Sequence, residues 1–170
     1  EYKAYKNIPQ NIDVIYLETI EAFNNGLYLL CSGGIRGIIE GICIDKKILS
    51  GEIEYKQNDG SIGKKTSKSL GGKIEGLRIN GFIDKNNSNA LHELRFIGND
   101  ALHALEIPSQ MEIKLAIDLI EHIIENLYEI EIKTLRIKNS KDLRKGLKRG
   151  CGLTIKNKTQ SLGDAFLQIN

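Results

Sequence analysis

The chain reads as an all-α protein, a helical bundle interrupted by a small β-hairpin or loop insertion near residues 50–68. Three observations carry this. Apolar residues recur at helical spacing on both sides of that stretch, only Pro9 and Pro108 break the chain, and "NDG" at 58–60 is the strongest turn signal in 170 residues. With 41% hydrophobic residues there is material for a core. At 6% aromatics and no Trp, Ile and Leu must supply its packing.

The first helix follows the extended Ile8-Pro9 pair. Ile12, Ile15, Tyr16, Thr19, Ile20 and Phe23 fall on one face, and Asn24-Asn25-Gly26 ends it with residues that tolerate a left-handed backbone. "LYLLCSGGIRGIIEGICIDKKI" resumes at once, which suggests a helical hairpin. Gly33, Gly34, Gly37 and Gly41 would each weaken an isolated helix by about 1 kcal/mol relative to Ala, so another helix should lie close against them. Arg36 and Glu40 stand one turn apart in this otherwise apolar helix and are expected to pair with each other beside the core. They would support the polar face described below, with Glu40 also within reach of Arg95.

"EIEY" and "SIGKK" flank the Asn-Asp-Gly turn as short strands. "LGGKIEGLRINGFI" returns as a short helix turning at Asn80-Gly81, and "DKNNSN" reads as a polar loop before the next helix. Past Pro108, Ser109 and Glu112 fit a capping box. Ile113, Ala116, Ile117, Ile120, Ile123, Ile124 and Leu127 then form a wide apolar face, while Glu112, Asp118, Glu121, Glu125 and Glu129 take the other side. "EIEIKTLRIK" extends this helix or forms a strand, and "SKDLRKGLKRGCG" reads as a basic helix stopped by Gly150. The bundle should hold four to six helices, with residues 8–130 as the domain and 131–170 as a basic extension.

A net charge of +2 does not by itself imply nucleic acid. Its distribution says more, because Arg144, Lys145, Lys148 and Arg149 sit in a basic cluster able to follow a phosphate backbone or simply to solvate a tail. Cys31, Cys43 and Cys151 show no paired spacing, so buried thiols in a reducing cytoplasm are expected and no metal site or cofactor is. The apolar run 27–45 is broken by Arg36 and Glu40, so no membrane span is expected. The first residue is Glu1 rather than Met, consistent with a piece of a longer protein.

"LHELRFIGNDALH" carries the candidate chemistry. At 100° per residue, His92, Asn99 and His103 fall within about 40° of one another on a helix, with Arg95 beside them. Such a stripe is able to move a proton through His and hold a phosphate through Arg. It also fits the polar fittings of a helix seam, and Gly98 threatens to break the helix between Arg95 and His103. His122, near Asp118 and Glu125, reads as an exposed helix face. Phosphate-loop, nucleophile-elbow and HExxH patterns do not occur in the sequence.

Taken together, "EAFNNGLYLLCSGGIRGIIEGIC", "LGGKIEGLRINGFI", "LHELRFIGNDALH" and "LIEHIIENLY", in that order, resemble the bacterial DUF4145 domain over residues 8–128. That family is similar in turn to the HEPN helical superfamily. The resemblance implies a cytoplasmic, restriction- or phage-defence-associated protein, often one domain of a larger chain and often a homodimer. In catalytic superfamily members a paired Arg, polar residue and His cleave RNA without metal. Carried over, those roles would fall to Arg95, Asn99 and His103. Counting back from His103, however, puts Gly98 where the arginine stands, with Asn99 in the polar place. The resemblance therefore implies a non-catalytic dimerisation or regulatory module first and a ribonuclease second. For the dimer surface, the glycine-lined helix 33–41 and the Ile face 113–127 are the sequence's candidates.

Overall fold

The computed structural model describes residues 2–57, 59–99, 101 and 106–150, the side chains of 145–150 excepted. The described elements run α1 (Gln10–Asn24), α2 (Tyr28–Asp45), β1 (Gly51–Lys56), β2 (Ile62–Ser67), α3 (Leu70–Ile79), α4 (Lys85–Asn99), α5 (Gln110–Ile124), a π-helical turn (Glu125–Ile130) and α6 (Glu131–Gly150). The protein is mostly helical, and β1 and β2 form one antiparallel hairpin with Gly51 opposite Ser67 and Lys56 opposite Ile62. Residues up to Ile132 form one compact unit and those from Lys133 another.

Helix α2 is the centre of the first unit and packs against α1, α3, α4 and α5. Its sequence explains why. Ile35, Ile38, Ile39 and Ile42 are fully buried, and its glycines let a neighbour approach. A methyl group built on Gly34 would lie 2.1 Å from Thr19 Oγ1 of α1, so only glycine fits this contact. Thr19 turns that hydroxyl onto the Ile15 carbonyl at 2.7 Å and needs no partner on α2. At Gly34, Gly37 and Gly41 the glycine stripe is thus consumed against α1, while a methyl on Gly33 would meet nothing within 4 Å.

The apolar face of α5 is consumed there too, since Ile113, Ala116, Ile120, Ile123 and Ile124 are all at most 1% exposed. The Ile face named from the sequence as a dimer surface is therefore interior, and so is the glycine face apart from Gly33. Cys31 and Cys43 are buried thiols, and burial pushes Cys43 up to about 12.

The expected capping box is present. Ser109 Oγ accepts from the Glu112 N–H, and Glu112 accepts from the Ser109 N–H at 2.8 Å. Two expectations fail at helix boundaries. α4 begins inside the run read as a loop, at Lys85, because Asp84 accepts the Asn87 N–H at 2.8 Å and starts the helix itself. Gly98 does not break α4 either, since the helix runs through it to Asn99.

A third correction concerns the acidic side of α5. Glu121 and Glu129 are buried, at 5% and 8% exposure, because the segment ahead of α1 packs over them. Tyr16 OH donates to Glu121 Oε1 at 2.7 Å, and Lys3 Nζ lies 2.6 Å from Oε2. The backbone N–H groups of Lys6 and Asn7 donate to Glu129 Oε1 at 2.7 and 2.9 Å. Burial, and then the bond to Glu121, push the Tyr16 phenol up.

Candidate functional site on the polar face of α4

Helix α4 projects His92, Arg95 and Asn99 from one side, and its neighbours divide them. α3 lies antiparallel to this stretch. Glu75 of α3 meets His92, and Gly71, one turn earlier, faces Arg95. Beyond Arg95, α2 approaches at Gly98.

At the His92 end, Glu75 is a hub. His92 Nε2 donates to its Oε1 at 3.0 Å, Ser88 Oγ donates to the same oxygen at 3.1 Å, and Arg78 Nε donates to Oε2 at 2.7 Å. Burial would raise the Glu75 carboxyl, but these donors outweigh it and hold it below the ordinary range. A carboxylate on Nε2 fixes the imidazole tautomer and leaves Nδ1 as the basic nitrogen. This network borders a cleft of about 740 Å³ between the hairpin, α3 and α4, whose lining includes Glu52, Glu54, Lys64, Arg78 and Lys85. Acids and bases balance there.

The other end differs. Arg36 of α2 donates through Nη1 to Asn99 Oδ1. The expected Arg36–Glu40 pair is absent, because Glu40 instead takes Lys73 of α3. Arg36 turns to the α4 side, where Gly98 makes room. A methyl on Gly98 would lie 3.2 Å from the Ser32 carbonyl oxygen and 3.3 Å from Arg36 Cβ. Glu40 does not meet Arg95 either.

Arg95 lies with its guanidinium 4.2 Å above the Phe96 ring centroid. Its Nε–H is shielded from solvent and has no acceptor among the described residues. Burial, and then the neighbouring Arg36 charge, push its pKa down.

The structure therefore brings Arg36, Arg95 and Asn99 together and sets Glu40 apart from them, while His103 lies outside the described residues. Arg144 is exposed on α6, with Nε donating to the Ser140 carbonyl at 3.3 Å, and the side chains of Lys145, Lys148 and Arg149 lie outside the described residues. His122 is exposed and bonded to Asn126. Among the described residues, no group of three His, Cys, Asp or Glu gathers as for a metal ion, and no helix is long and apolar enough to cross a membrane. Sequence reasoning missed Glu75, Arg78 and Ser88. Glu75 and Arg78 share a face at i, i+3, and that spacing is the one signal in the sequence that points to them.

These features define a helical domain with a small hairpin and a polar seam where α2, α3 and α4 meet. Residues 17–145 match the family described as a domain of unknown function, DUF4145, and the chain belongs to that family. No curated protein and no solved structure matches it.

Proposed function

We propose that this DUF4145 domain is a HEPN-like, non-catalytic dimerisation or regulatory module of a bacterial restriction or phage-defence protein. The observation that carries the reading is the state of the Gly98-Asn99 pair. Where a catalytic superfamily member would place its arginine, this chain has a glycine clamped against Ser32 and Arg36. The adjoining Asn99 carboxamide is spent on Arg36. Both residues brace the α2–α4 seam, a role in which an arginine at 98 would not fit.

Support for self-association comes from a different face than the sequence suggested. Met111, Leu115 and Leu119 stand at i, i+4 and i+8 on α5, exposed by 67%, 56% and 40%. A strip of this kind is suited to a second helix of a like subunit.

The ribonuclease reading, through Arg95, Asn99 and His103, keeps one observation in its favour, the uncommitted guanidinium of Arg95. One pair of measurements decides between them. Purified chain incubated with mixed RNA should cleave no faster than its His103→Ala variant, and sedimentation at micromolar concentration should give a dimer that Leu115→Glu converts to monomer. His103-dependent cleavage would replace the module reading with the nuclease one. A monomer in the wild type would remove the dimerisation role.

A further inference from the structure

We propose that Arg36 and Arg95 together form a binding site for a phosphate oxyanion at the α2–α4 seam, beside the first turn of α3. The site goes beyond the module reading, because it requires neither cleavage nor a dimer.

Charge bookkeeping in the bundle isolates this pair. The other half-buried Lys and Arg side chains of the first unit are answered by carboxylates: Lys46 by Asp45 and Lys73 by Glu40. Arg36 and Arg95 have no carboxylate within ion-pair distance among the described residues. They come from adjacent helices and are each half-buried, and burial, then the Arg36 charge, lowers the proton affinity of Arg95.

Among the described residues, the one acceptor offered to them is neutral, Asn99 Oδ1 to Arg36. A desolvated cation without a counter-charge costs folding free energy, and two side by side cost more. An arrangement of that kind is stable against an anion that comes from outside the fold.

The geometry points to phosphate. Each guanidinium presents a planar fork of N–H donors that matches two oxygens of a tetrahedral oxyanion, and two positive charges match a dianion better than a single carboxylate. With Oδ1 accepting from Arg36, the Asn99 amide adds an N–H donor. Phe96 holds Arg95 by its face and leaves the ring-plane donors as the reacting edge. Gly71 of α3 lies against this guanidinium. A methyl there would lie 3.6 Å from Arg95 Cζ, so the missing side chain leaves the approach uncrowded.

The same chemistry is carried by free phosphate and by a nucleic-acid phosphate, and the test separates them. The full chain is melted in phosphate- and sulfate-free buffer with increasing inorganic phosphate. It is also titrated with a fluorescent single-stranded RNA, with and without a 5′-phosphate. Phosphate should raise the wild-type melting temperature and leave Arg95→Gln unmoved. If the source is a polymer backbone, both RNAs should bind alike and lose about tenfold or more in affinity in Arg95→Gln. A terminal or free phosphate would instead favour the 5′-phosphorylated RNA.

One readout separates a ligand site from a brace. Without phosphate, Arg95→Gln should melt no lower than the wild type, since it removes an unanswered donor and a like charge. Arg144→Gln serves as a control for α6. The proposal is overturned by a wild type that responds to neither phosphate nor RNA, by equal binding in Arg95→Gln, or by binding lost in Arg144→Gln alone.

Discussion

The two ends of α4 carry similar residues and reach opposite electrostatic outcomes. At the His92 end one carboxylate, Glu75, accepts from an imidazole, a hydroxyl and a guanidinium, and every charge has its counterpart. At the Asn99 end two guanidiniums stand without a carboxylate among the described residues, and one neutral oxygen, Asn99 Oδ1, accepts from Arg36 alone. Residue type does not separate these environments, since both hold an arginine and a short polar side chain. What separates them is the partner helix. α3 brings an acid to its contact with α4, and α2 brings a second base. A satisfied network fixes the packing of a fold, whereas an unsatisfied one records a demand that the fold does not meet by itself.

The largest effect that would test this contrast is at the seam between the two ends. Gly98→Arg, which introduces the arginine that the ribonuclease reading would require, should destabilise the domain by about 3 kcal/mol or more, because overpacking here meets the Ser32 carbonyl and the Arg36 side chain. Urea unfolding measures it, and a variant of wild-type stability would show that the seam opens freely.

Glu75→Gln comes next, at about 1–2 kcal/mol, since it weakens three bonds without emptying the site. Its pH dependence has a defined sign. Glu75 binds its proton less readily folded than unfolded, so its contribution is full above the ordinary carboxyl value of 4.5 and fades as pH falls through the lower folded value. The gap between wild type and variant should therefore close in acid, and a gap independent of pH would mean that the carboxylate charge is irrelevant.

Smallest is Glu40→Ala. Its side chain is 39% exposed and, among the described residues, pairs with Lys73 alone, so about 0–1 kcal/mol is expected rather than the cost of breaking a buried pair. A loss several times larger would restore Glu40 to the core.

Features set by neighbouring residues were legible in the sequence. The capping box of Ser109 and Glu112, the left-handed Gly26 and Gly81 that follow α1 and α3, and the hairpin around Gly60 each depend on a few consecutive positions. The glycine contact of α2 with α1 was legible as well, because a helix has few other reasons to carry such a stripe. Long-range choices were not. Arg36 had a local candidate four residues away and took a partner 63 residues away instead. Glu121 and Glu129 follow the polar period of α5 faithfully, yet the segment holding Lys3, Lys6 and Asn7 covers that side and makes them interior. Periodicity reports which face is polar, and it does not report what will come to lie upon it. Glu75 was invisible for the same reason, since its imidazole partner arrives from 17 residues further on.

The clasp at Glu129 has a topological consequence. Asn7 adds its side-chain amide to the two backbone donors, bonding Glu129 Oε2 at 3.0 Å, so the entry strand of the first unit is tied to its final turn. The path of the polypeptide through this unit is thereby nearly a closed ring. A short peptide joining the two positions would lose little loop-closure entropy, and new ends opened at the hairpin turn would leave every helix intact. Seen from a host protein, the unit is a plug whose two leads emerge together, which can be spliced into a surface loop without prying that loop apart.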